Sequence, residues 1–230
     1  MLTRHVCILI VMLFGSVFGT PLAKLVSEAR IKRYPKNQML LYGGDRIIDL
    51  YILKKGVAKM YDIDQKGNEK VLHILKPPCI LPLTAFGTSG QTNEWFYGAI
   101  TDCEVYSVSY DEAERRVAAD CKLAAYLMRH SASEMHELLI RVSSLGKSDA
   151  QGKLAQVLTF LAVRHASERH GGWRRVSFPV GHQLLADMIG MTRESTALGM
   201  KRLREHNIIR YPRATQLEIH FRHLVAAGAS

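Results

Sequence analysis

Residues 180–209 read VGHQLLADMIGMTRESTALGMKRLREHNII, and the order of apolar, small and charged positions in them decides the fold of the C-terminal third. Leu185, Ala186 and Ile189 share one helical face, Gly190 breaks the helix, and Thr192 has the side chain to cap a second one anchored by Met200 and Leu203. Ala186 is small enough to let two helices cross closely, and a glycine four positions later allows the tight turn between them. The pattern predicts a helix-turn-helix. Arg193, Glu194, Ser195 and Lys201 are left for the outward face of the second helix. There the chemistry suits the DNA major groove: Arg can grip O6 and N7 of guanine, Glu can accept from N4 of cytosine, and such helices present their first residues to base edges. Thr192 and Ser195 can donate to phosphate, and Lys201 supplies longer-range attraction. An Arg-Glu pair at a helix start is also common as solvated charge; its place directly after the small-residue turn is what singles this one out.

The flanking sequence extends the motif. Ile208-Ile209-Arg210-Tyr211-Pro212-Arg213-Ala214 and residues 216–221 read as two short strands around a turn, a wing on which Arg210 and Arg213 are either phosphate contacts or ordinary surface arginines. Upstream, Asp149 can cap a helix with Leu154, Val157, Leu158 and Leu161 on one face; Gly171-Gly172 ends it, and residues 173–178 form a strand. Residues 149–230 carry twelve Lys and Arg against six Asp and Glu, within a chain of formal charge +10, so the basic excess is densest beside the motif. That balance favours polyanions as partners.

Residues 30–111 differ in texture, with short β-rich runs punctuated by turn residues: 39–42, then Gly43-Gly44-Asp45, 49–53, Gly56 and 57–63. Such spacing predicts a sandwich or small barrel, with residues 64–68 turning a hairpin between 57–63 and 69–75, and a last strand at 103–109. From Asp111 to Lys147 there is no proline. Cys121, Ala124, Met128, Ser131, Met135, Leu138, Val142 and Leu145 fall at alternating steps of three and four, an a/d seam. A core-facing helix is one reading. The other is a dimer helix meeting its partner through Met128, Met135, Leu138, Val142 and Leu145, while Leu123, Leu127 and Leu139, off the seam, cover the β-domain. Residues 146–148 read as a hinge. The expected organisation is an extension at 1–20, a β-barrel sensor domain at 21–110, a dimerisation helix at 111–147 and a DNA-binding domain at 148–230.

Several classes find no support. The four cysteines, Cys7, Cys79, Cys103 and Cys121, include no C-x-x-C and no finger-spaced histidine, which speaks against zinc modules and iron–sulfur clusters and suits a cytoplasmic protein. No nucleophile elbow, P-loop or H-E-x-x-H indicates an enzyme. Residues 1–19 place Arg4 and His5 before an uncharged run at 6–14 and the small residues of 15–19; a start outside the fold, a membrane tether and a signal segment all fit.

The order of β-domain, long helix and winged helix-turn-helix resembles the cyclic-AMP receptor and fumarate/nitrate-reduction regulator (Crp/Fnr) superfamily of bacterial transcription factors, over about residues 22–221. The resemblance rests on Gly44-Asp45 before Leu50-Tyr51-Ile52, on Lys55-Gly56, on residues 149–158 and, most specifically, on Gly190-x-Thr192-Arg193-Glu194-Ser195. It implies an α+β chain: an N-terminal jelly roll of the cyclic nucleotide-binding kind, a dimerisation helix and a C-terminal winged helix-turn-helix. It implies a homodimer on pseudo-palindromic double-stranded DNA, with the sensor biasing the two reading heads and RNA polymerase as a further partner of an activator. By the same resemblance Arg193 and Glu194 are base readers, and Gln183, Thr192, Ser195 and Lys201 contact the backbone.

The sequence also departs from the family. Leu198 stands where a second base-reading Arg is usual, and Gly199 replaces a large apolar residue at a cost of roughly 1 kcal/mol relative to Ala. Cyclic-nucleotide binders carry a Gly-Glu pair and a downstream Arg, whereas residues 77–114 contain no Arg, Lys or His, so a buried phosphate would lack a cation. Leu81, Leu83, Phe86, Trp95, Phe96 and Tyr97 instead form a candidate pocket for an apolar or uncharged small-molecule effector, cyclic AMP not being expected; such residues are more often core. No cofactor is assigned, His73 being available to a haem iron but ordinary at this histidine density. The rival reading is a ligand-binding β-barrel whose C-terminal part mediates protein contacts, and salt-dependent duplex binding separates the two.

Overall fold

The computed structural model describes residues 17–82, 84–86, 92–145 and 149–228; residues 1–16 of the extension, Leu83 of the candidate pocket and the hinge at 146–148 lie outside them. Eight strands make the N-terminal β-structure: β1 Arg30–Tyr34, β2 Met39–Leu41, β3 Asp49–Lys55, β4 Ala58–Ile63, β5 Glu69–Leu75, β6 Cys79–Leu81, β7 Phe96–Ala99 and β8 Cys103–Ser109. They form two four-stranded sheets, of order β1-β8-β3-β6 and β2-β7-β4-β5, with antiparallel ladders. This is a jelly-roll order, in which strands adjacent in sequence are shared out between two sheets. The hairpin at 64–68 forms as its turn residues predict, with Asp64 Oδ1 accepting from the backbone N–H of Lys66 and Asn68 at 2.8 and 2.9 Å.

Strands β3 and β8 are apolar on both faces because both are covered. Leu50, Ile52, Tyr106 and Val108 join a cluster with Leu22, with Leu25 and Val26 of α1 (Ala23–Val26), with Ala113 of α2 (Tyr110–Ala119), and with Leu123 and Leu127 of α3 (Cys121–Leu145). By the alternation of a strand, Tyr51, Leu53 and Val105 project to the other face, and they are buried too. Val17 belongs to the same cluster, so the fold takes in the last residues of the N-terminal extension.

The helix expected to run unbroken from Asp111 to Lys147 is two helices. Asp120 leaves helical geometry at φ −131°, ψ 98°, and its carboxylate accepts from the backbone N–H of Lys122 and Leu123 at 2.9 and 3.1 Å. An acidic cap that satisfies the first turn of α3 is a start signal placed inside an apparently continuous pattern. Leu123 and Leu127 cover the β-structure as their positions predict. Leu139 does not: it is 60% exposed and widens the apolar stripe instead.

The C-terminal elements are α4 Ala150–Arg164, β9 Ala166–Glu168, β10 Trp173–Val176, α5 His182–Ile189, α6 Arg193–Glu205, β11 Ile209–Arg213, β12 Gln216–His220 and α7 Phe221–Gly228, with a sheet of order β11-β12-β10-β9. The Asp149 carboxylate caps α4 by accepting from Gly152 N–H at 3.0 Å. That helix stops at Arg164, before the glycines expected to end it, because buried His165 is held between the rings of Phe160 and Phe178. Gly171 and Gly172 instead sit between β9 and β10, which pair antiparallel. The chain divides into two compact units, residues 1–61 with 73–136 and residues 62–72 with 137–230.

Candidate nucleic-acid interface

The reading element is built as its sequence dictates. Helix α5 buries Leu185, Ala186, Met188 and Ile189, and ends on Gly190, whose φ of 66° is a left-handed conformation that suits glycine. Gly190 and Met191 both donate their N–H to the Ala186 carbonyl. Thr192 Oγ1 accepts from Ser195 N–H at 3.2 Å and caps α6. Thr196 and Met200 are buried, which turns the opposite side of α6 to solvent.

Gly199 has a positive role. A Cβ there would stand 2.8 Å from Leu154 Cδ2, and Leu154 is itself buried in α4, so the glycine lets α4 and α6 approach closely. The propensity cost read from the sequence is offset by packing.

Arg193 and Glu194, both exposed, open the first turn of α6, and among the described residues neither has an ion-pair partner. Lys201, two turns on, stands 4.0 Å from Glu205. The other expected backbone contacts are engaged within the chain: Gln183 Nε2 donates to Asp187 Oδ1 at 2.7 Å, and Thr192 Oγ1 donates to Ser195 Oγ at 3.0 Å. Gln183 keeps a second amide N–H, and Ser195, which only accepts in that bond, keeps its O–H as a donor.

The wing contains a group the sequence conceals. Glu218 of β12 is 1% exposed, accepting from Arg175 Nε at 2.6 Å and from Arg210 Nε at 2.7 Å. Burial works against this carboxylate, but the two guanidinium groups outweigh it and hold Glu218 below its ordinary range. Arg210 also lies over the Trp173 ring at 4.1 Å. Of the two wing arginines left open as phosphate contacts or ordinary surface residues, Arg210 is paired within the sheet, and Arg213 is exposed beside the β11–β12 turn.

The described candidate effector residues are engaged within the β-structure and its neighbours. Leu81 and Tyr97 are fully buried core residues of different sheets, Phe96 stacks on Tyr61, and Phe86, 40% exposed, stacks on Tyr110. Trp95 is half-buried, its carbonyl accepting from Asn93. A cleft of about 260 Å³ lies instead among Leu40, Arg46, Ile47, Tyr51, Pro82 and Asn93, with Asp45 and Asp49 also lining it. His73 is likewise committed: it is 1% exposed, with Nε2 at 2.6 Å from Glu134 of α3. Burial opposes the Glu134 carboxylate, yet His73, with His130 and Lys76 nearby, holds it below its ordinary range. Among the described residues no group of three or more His, Cys, Asp or Glu is gathered for a metal ion. Nor is any helix among them long and apolar enough to cross a membrane.

Comparison with known proteins agrees with this geometry. The cyclic nucleotide-binding domain family matches residues 31–120, and the Crp-like helix-turn-helix domain family matches residues 152–224. The cAMP-activated global transcriptional regulator CRP of Salmonella typhimurium is 24% identical over 184 residues, 80% of this chain and 87% of the relative. The global nitrogen regulator of Synechocystis is 23% identical over 78% of this chain and 80% of the relative. Among solved structures, FixK2 from Bradyrhizobium japonicum superposes with a TM-score of 0.75 at 20% identity, covering 88% of this chain and 98% of that one. CooA from Carboxydothermus hydrogenoformans gives 0.74 at 18% identity, covering 94% and 95%. The chain belongs to the Crp/Fnr family of transcriptional regulators, with a DNA-binding helix-turn-helix domain.

Proposed function

We propose that two copies of this chain pair along α3 and present two α6 helices to the major groove of a pseudo-palindromic site. The observation that carries this is the stripe Met128, Met135 and Val142, spaced by seven and 69, 60 and 66% exposed. Half-buried Leu138 borders it, while the side chain of Leu145 lies outside the described residues. Large apolar side chains recurring at heptad spacing on an exposed face are stabilised by a second helix carrying the same stripe. Met135→Glu tests this without disturbing the fold of one chain, because Met135 is already exposed. Each protomer would then bury a carboxylate at the seam, and dimer affinity should fall at least tenfold. Light scattering should show monomer at concentrations where the unaltered chain is a dimer; a persisting dimer rejects the seam.

Arg193 and Glu194 read bases in each half-site, and Gln183, Thr192, Ser195 and Lys201 hold the backbone. In activation the further partner is RNA polymerase; in repression occupancy of the site suffices. The effector is a small molecule other than cyclic AMP. The cleft offers one guanidinium, Arg46, with Asp45 beside it and Asp49 already paired with Lys32 at 3.0 Å, too little positive charge for a buried phosphodiester. Calorimetric titration of the full chain with cyclic AMP should give no binding heat and no change in Tm. A saturable isotherm overturns this assignment and leaves the DNA-reading assignment standing.

A further inference from the structure

We propose that Leu198 is a specificity-determining residue that packs against the C5-methyl of a thymine in each half-site. This rests on reading α6 as the helix that enters the major groove. At 3.6 residues per turn, the direction opposite buried Thr196 and Met200 is shared by Glu194, Leu198, Lys201, Arg202 and Glu205. Leu198 lies near the middle of that stripe and is 52% exposed. A surface leucine is ordinary in itself. This one is set apart by its neighbours: one turn back is Glu194, and three and four positions on are Lys201 and Arg202, all charged and exposed. In the free chain about half of its surface faces water.

The major groove offers one apolar group on its base edges, the thymine C5-methyl, among donors and acceptors that suit Arg193 and Glu194. A leucine cannot bond those polar edges, and it would desolvate them at a cost if pressed against them. A methyl is the partner it can cover with gain on both sides. Leu198 is five positions beyond Arg193, about 7.5 Å along the helix axis and about 140° around it, so the thymine should lie in the same half-site as the G·C pair read by Arg193 but at a different base pair.

The test uses the full-length chain and an operator first obtained by selection from random duplexes. Each thymine of a half-site is replaced in turn by deoxyuridine, which keeps the pairing and deletes only the methyl. One position per half-site should lose affinity about fourfold, the worth of one buried methyl group. Leu198→Ala should bind with no position sensitive to the exchange. Its melting curve should match the unaltered chain, since the site is exposed and alanine favours helix. The proposal is overturned if the unaltered chain is indifferent to deoxyuridine throughout, or if Leu198→Ala keeps the same sensitive position. Failure of the underlying reading looks different: Arg193→Ala would then retain every base preference of the unaltered chain.

Discussion

Replacing Arg175 and Arg210 together by methionine should destabilise the C-terminal unit by about 3–5 kcal/mol, the range for a buried charge stripped of its partners. Both carboxylate oxygens of Glu218 are held, by Arg175 at 2.6 Å and by Arg210 at 2.7 Å, while its surroundings exclude water. Without the arginines the carboxylate must protonate or drag the wing open. The converse change, Glu218→Ala, should cost less, because Arg175 and Arg210 are 33 and 50% exposed and can turn to solvent. Adding Glu218→Leu to the double variant should recover most of the loss, since an apolar residue needs no partner there. Urea unfolding of the three variants decides it. Equal losses for the double variant and for Glu218→Ala would mean that the triad acts by packing rather than by charge.

Acid should reproduce part of this effect in the unaltered chain. Because Glu218 is held below its ordinary value, its contribution is fully present above the unfolded carboxylate range, about pH 4.3, and fades as pH falls through the lowered folded value. Glu134 is shifted in the same direction, so α3 should lose its tie to β5 over the same acidic window. The double methionine variant lacks the Glu218 part of that slope.

Glu218 also shows where sequence reading stops. In Gln216-Leu217-Glu218-Ile219-His220 the alternation correctly puts Leu217 and Ile219 inside, and by the same rule sends Glu218 to solvent. It is buried because Arg175 and Arg210, from the two neighbouring strands, fold over it, and only the β10-β12-β11 register shows that they lie opposite. The helix-turn-helix was legible because all its signals are local: small residue, left-handed glycine, capping threonine, apolar periodicity. The break at Asp120 was hidden inside a continuous apolar pattern, and β9 is too short to carry a signal of its own. The candidate effector residues rest on composition, whereas the cleft rests on register. Leu81 and Phe96 share a composition but belong to different sheets, whereas the cleft draws on Arg46 and Asn93, which the isolated bridge between Arg46 and Thr92 brings near.

Arg193→Ala should lose about 1–3 kcal/mol per half-site at the selected operator, and the loss should be confined to one G·C pair of that half-site. Arg193 stands in the first turn of α6, exposed and without an ion-pair partner among the described residues, so its guanidinium is available to both guanine acceptors at once. Lys201→Ala should behave differently. As a phosphate contact it should weaken all sequences alike and lower the salt slope, by somewhat less than the roughly one unit of a full contact, because Glu205 at 4.0 Å already screens the ammonium. Competition binding on single-base operator variants at several salt concentrations separates the two. A pair-specific loss for Arg193→Ala beside a uniform, salt-dependent loss for Lys201→Ala assigns base reading to the start of α6. If Arg193→Ala instead loses affinity uniformly with every base preference intact, Arg193 is a backbone contact, and the base-reading positions must be sought further along the exposed stripe of α6.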